Sequence, residues 1–201
     1  MTRGFRHLLD YAARMARGDL AGARRALHRA RAARVPRVAA EETGLMLVLH
    51  AGYPAALEGL RVLSEAWPGK ARRSREGRVA RWRDRGERLC RDIYGGVYPR
   101  LIRRVRGMHP DLAVWMVEQG YGRVLSRPGL AARERELVAV AVLAAGGWER
   151  QLVSHLLGAM RMGAEREEIR TAVQAGVAGG AASRAVAGAW RAAFAQAFPE
   201  R

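Results

Sequence analysis

The stretch with the most chemical content runs from residue 133 to 169, RERELVAVAVLAAGGWERQLVSHLLGAMRMGAEREEI. Two helical runs flank Gly146-Gly147, so they must fold back on each other as an antiparallel pair. Glu136 stands ten residues before Gly146, and His155 stands eight after Gly147. At 1.5 Å per residue, both lie roughly 12–15 Å from the turn, at matching heights on facing helices. Gln151, four residues before His155, and Trp148, seven before it, share its helical face. Glu136, Gln151 and His155 are thereby expected to converge on one small polar pocket. A carboxylate beside a histidine fixes its tautomer and raises its pKa, giving a proton donor usable near neutrality. The same grouping also serves as a buried polar network that only fixes helix register. Spacing alone leaves both open.

The elements that would hold this pocket are helices throughout. Phe5, Leu8, Leu9, Ala12 and Met15 mark one face of a first helix, broken at Gly18-Asp19. A second is expected from Leu20 to Ala33, ending before Val35-Pro36. A third, over 38–50, carries the apolar run Leu45-Met46-Leu47-Val48-Leu49 and reads as buried. Gly52-Tyr53-Pro54 opens a fourth, which closes at Trp67-Pro68-Gly69. Residues 70–88 are polar and arginine-laden, and read as an exposed helix or linker. Helical pattern returns over Leu89–Val105, interrupted at Gly95-Gly96 and Pro99, and again from His109-Pro110 to Val124. Ser126-Arg127-Pro128-Gly129 is a turn. The spacing then predicts helices over 131–145, 148–162, 166–177 and 181–197. No stretch alternates as a strand would, so the fold class is all-α.

An internal repeat links the two ends. HRARAARVPRVAAEE, from His28, matches HLLGAMRMGAEREE, from His155, with a one-residue gap. This pairing sets His28 opposite His155, Leu9 opposite Glu136 and Arg24 opposite Gln151. His28 then has no acid partner and reads as a surface or packing residue.

The 201 residues carry 36 basic against 19 acidic side chains, a formal charge of +17. Lys70 is the one lysine; the rest are arginine. Such a charge draws phosphate, yet no aromatic-rich RNP stretch, zinc-finger spacing or basic zipper accompanies it. About a third of the arginines crowd into 71–106, whereas the 133–169 hairpin is nearly balanced. Nucleic-acid association through 71–106 is therefore an alternative reading and not the leading one. A disulfide scaffold is excluded, because Cys90 is the single cysteine. His7, His28, His50, His109 and His155 lack ligand spacing, so no metal is expected. Ser154 and His155 are neighbours on one helix and point about 100° apart, which excludes a nucleophile–base dyad. No apolar run approaches the ~18–20 residues of a membrane span, and the N-terminus lacks a continuous apolar core. A cytoplasmic location follows as the expectation.

The segment SRPGL (126–130), then RERELVAVAVLAA, WERQLVSH and MGAEREEI, resembles the carboxymuconolactone decarboxylase family, which includes the alkylhydroperoxidase AhpD. The likeness runs back through IYGGVYPRL (93–101) and HPDLAVWMVEQGYG (109–122). EETGLMLVLHAGYPAALEGLRVLSEAW, nearer the N-terminus, resembles the family's closing helix pair. The resemblance implies an AhpD-like helical fold, a homo-oligomer with Trp67, Tyr94 and Trp190 among interface residues, and no cofactor. It also implies domains at 1–69 (an N-terminal half-domain), 70–87 (a connector) and 88–201 (a complete family domain).

The peroxidase branch of that family uses a glutamate, a Cys-x-x-Cys and a histidine. Those positions fall here on Glu136, Trp148, Gln151 and His155. Tryptophan and glutamine supply no thiolate, which argues against thiol peroxidase chemistry, although a peroxiredoxin label could follow from family membership. The decarboxylase branch maps onto Arg135, Glu149 and His155. The resemblance thus implies a carboxy-lyase acting on a small anionic organic acid or lactone. In it His155 transfers the proton, Glu136 or Glu149 orients it, and Arg135, with Gln151 and Trp148, binds substrate. A non-catalytic structural or regulatory role is the competing expectation.

Overall fold

The structure is a computed structural model that describes residue 2, residues 4–71, residues 79–178, and residues 188 and 191. Trp190 and most of the helix expected over 181–197 lie outside the described residues. Among the described residues every regular element is helical and no strand occurs, so the fold is all-α, as expected. The helices are α1 (Arg6–Ala16), α2 (Leu20–Ala32), α3 (Arg37–His50), α4 (Gly52–Ala66), α5 (Ala80–Tyr94), α6 (Tyr98–Met108) and α7 (Pro110–Trp115). After a π-helical stretch, Met116–Leu125, come α8 (Ala132–Gly146), α9 (Glu149–Arg161) and α10 (Arg166–Val177). No helix among the described residues is long and apolar enough to cross a membrane.

Two compact units result, and they do not follow the linear division expected above. One joins Met1–Ala71 to Gly129–Arg201; the other is Arg72–Pro128. The first 71 residues are thus no separate half-domain, because α1 and α3 both pack on α8, and α10 packs on α1 and α8. The pattern of burial explains this. Every residue of α8 from Arg135 to Ala144 is buried, so the helix must be covered on all sides. α9 and α10 cover part of it, and α1 and α3 supply the rest. In the second unit α5 packs along the π-helical stretch. A Cβ at Gly122 would sit 1.9 Å from the Trp82 carbonyl oxygen and one at Gly86 2.0 Å from that of Val117, so only glycine permits this crossing.

The repeat is present, in a different register. Gly18 and Gly147 both take positive φ, +73° and +75°, and Arg34 and Gly163 do so at 57° and +82°. The same backbone bonds close both copies. Asp19 N donates to Arg14 O and Trp148 N to Leu143 O; Val35 N donates to Ala30 O and Ala164 N to Ala159 O. All these pairs are related by one constant shift of 129 residues, with no gap. α1, α2 and α3 therefore correspond to α8, α9 and α10. His155 pairs with Ala26 rather than His28, and Glu136 with His7 rather than Leu9. His28 is exposed on α2.

Candidate functional site

The helix that most needs covering also carries two of the most deeply buried charged side chains. Arg135 and Glu136 are each 1% exposed, and they stand on α8 next to a wholly apolar run. Neighbours on a helix point about 100° apart, so each finds its own partner. Arg135 turns to α3, where Nη2 donates to Glu42 Oε2 at 3.0 Å. Glu136 turns to α9, where its Oε2 accepts from His155 Nδ1 at 2.8 Å. Both pairs are buried, where a charge-assisted bond is stronger than in water and an unmatched group is costlier. With Nδ1 committed to the carboxylate, His155 is left Nε2 as its free chemical edge.

A second imidazole completes the group. His50, the last residue of α3, meets His155 edge to face, with ring centroids 5.3 Å apart at 85°. Its Nε2 is buried and has no hydrogen-bond partner among the described residues, and the same holds for Glu136 Oε1. Burial first, and then the neighbouring His155, push the His50 pKa down to about 3. The two rings thus differ in environment: one is held by a carboxylate, and the other is desolvated and neutral.

This difference has a consequence for stability. In the fold His50 stays neutral until about pH 3, whereas an unperturbed imidazole gains its proton near 6.5. Between those values the unfolded chain binds the extra proton, so stability falls as pH drops through that window. Urea unfolding from pH 7 to 4 should show a shallower acid loss in His50→Phe than in the native protein. Equal slopes in both proteins would contradict the buried neutral state.

The remaining residues expected at the site lie elsewhere. Trp148 is 57% exposed at the N-cap of α9. Gln151 is exposed and Glu149 half-buried, and no hydrogen bond among the described residues joins either to His155. One turn separates Gln151 from His155, and over that turn α9 emerges from the core towards solvent at the hairpin tip. Arg135, expected to bind substrate, is instead occupied with Glu42 in the interior. Cys90 is buried on α5. No group of three metal-ligating side chains occurs among the described residues. Sequence reasoning missed His50 and Glu42. The signal for His50 was a titratable residue closing the apolar run Leu45–Leu49, at the end of a helix that had to be buried.

Comparison with known proteins bears on the same hairpin. Residues 110–193 match the profile of the Carboxymuconolactone decarboxylase family. Over this segment the chain is similar to that family. A curated relative, Peroxisomal protein 2 of Schizosaccharomyces pombe, is 28% identical over 126 residues, which is 60% of this chain and 59% of that protein. The match thus spans well under two thirds of the relative's length. Glu136 and His155 fall inside the family segment, whereas Glu42 and His50 precede it.

Proposed function

We propose that the protein is a cofactor-free catalyst of decarboxylation, or of the proton transfer that completes it, on a small carboxylated lactone or organic acid. The observation that carries this reading is the buried Glu136–His155 bond at 2.8 Å. Loss of carbon dioxide leaves an electron pair that must be delocalised and then protonated. His155, held at Nδ1 by Glu136, presents Nε2 as the proton donor to that carbon. Glu136 touches no substrate in this scheme; it orients the ring. Resemblance to the decarboxylase branch supports the reaction class, and so does the match of residues 110–193 to the family profile. Thiol peroxidase chemistry has no support, with Trp148 and Gln151 at the thiol positions and Cys90 buried.

The test is turnover of a panel of carboxylated lactones in D₂O, followed by carbon dioxide release and deuterium at the product carbon. His155→Gln should lower kcat by about 10²–10⁴-fold, the usual worth of a positioned acid, with helicity unchanged by circular dichroism. Wild-type protein inert on every member of the panel, or a fully active His155→Gln, would reject the proposal. The first result would favour a non-catalytic role.

A further inference from the structure

The scheme above leaves His50 without work, although a buried ring nitrogen with no partner among the described residues is costly to keep. An apolar side chain would fill the same place at the end of α3 without leaving a polar atom unsatisfied. The unmatched Nε2 is on the ring that lies edge to face with His155, 5.3 Å between centroids. That nitrogen is shielded from solvent and holds no hydrogen bond among the described residues. Arg135 is not that site's cation, since it is bonded to Glu42.

We propose that His50 is the oxyanion donor of this site: its neutral Nε2–H hydrogen-bonds the substrate carbonyl oxygen on which negative charge collects, while His155 supplies the proton to carbon. The inference rests on the proton-transfer reading given above. The bond between the ring carbon and the carboxylate breaks, and carbon dioxide leaves. The electron pair passes into the neighbouring lactone carbonyl as an enolate. His155 Nε2–H then closes the new C–H bond, and solvent returns a proton to His155. Hydrogen-bond and proton-transfer distances of roughly 3 Å each suit a carbon and its adjacent oxygen shared between two rings in edge-to-face contact. A neutral imidazole suits the donor's role, because it polarises the oxygen without competing to deliver a proton of its own. Two imidazoles thereby take two roles. The carboxylate of Glu136 orients His155, and desolvation keeps His50 neutral.

The experiment uses tetronic acid, a cyclic lactone that is an enolate at neutral pH, as a stable mimic of the charged intermediate. Binding is measured by calorimetry and by ¹⁵N NMR of histidine-labelled protein, in wild type, His50→Phe and His50→Gln. Phenylalanine keeps the edge-to-face packing and removes both nitrogens; glutamine keeps a donor. The expected result is a tetronate-dependent shift of the His50 Nε2–H signal. Affinity should fall about tenfold to a hundredfold in His50→Phe and be largely restored in His50→Gln, with thermal stability at pH 7 retained in both. Wild-type affinity in His50→Phe would show that the ring only packs, and absent binding to the wild type would remove the oxyanion role. Lactone turnover is scored separately. An inert protein that still binds tetronate through His50 overturns the reaction, whereas turnover with His50-independent binding overturns this inference alone.

Discussion

Arg135→Met should destabilise the protein by about 3–5 kcal/mol in urea unfolding. The side chain is 1% exposed, and its guanidinium lies 3.0 Å from a Glu42 carboxylate that is itself 4% exposed. Removing the cation takes from that buried carboxylate its charge-assisted bond to α8. The Arg135→Met/Glu42→Leu double variant should recover most of the loss, because taking both charges out together also removes their desolvation cost. A double variant no more stable than the single one would show that Glu42 was held by other contacts. The pair joins α3 to α8, and α3 also carries His50. Arg135→Met should therefore disturb the His50–His155 contact as well as the unfolding midpoint.

What the sequence made legible, and what it hid, divides along contact range. Glu136 and His155 are nineteen residues apart on one hairpin, so helical rise and a Gly-Gly turn are enough to bring them level. Glu42 and Arg135 are separated by 93 positions. Their meeting depends on how α3 is laid against α8, which no periodicity encodes. The contact of His50 with His155 is hidden for the same reason. The repeat failed differently. Matching histidines and acidic pairs led to His28 and His155, whereas the copies share turns and not side chains. In the second copy the left-handed turn residue is Gly163, but in the first it is Arg34 at φ 57°, a position where glycine is the usual signal. The linear division failed because each segment reads as complete by itself. Only the all-round burial of α8, from Arg135 to Ala144, requires the N-terminal helices to cover it.

Glu136→Gln should cost about 10²–10⁴ in kcat while leaving KM within a few-fold, the mark of a group that acts in the transition state and not in binding. The amide keeps the volume of the carboxylate and one oxygen acceptor, so the hairpin packing that buries it at 1% exposure survives. Two things change. The carboxylate that accepts from Nδ1 is gone, and the amide nitrogen becomes able to donate to Nδ1, which reverses the tautomer. A reversed tautomer places the ring's hydrogen on Nε2 without the charged form behind it, so the proton is present but less readily delivered. The ¹⁵N signals of His155 distinguish the cases, since the protonated ring nitrogen is the shielded one in a neutral imidazole. Native protein should carry its neutral-state proton on Nδ1, and Glu136→Gln should populate Nε2–H. Retention of kcat within about threefold, with the native tautomer unchanged, would reduce the pair at 2.8 Å to a register-fixing network.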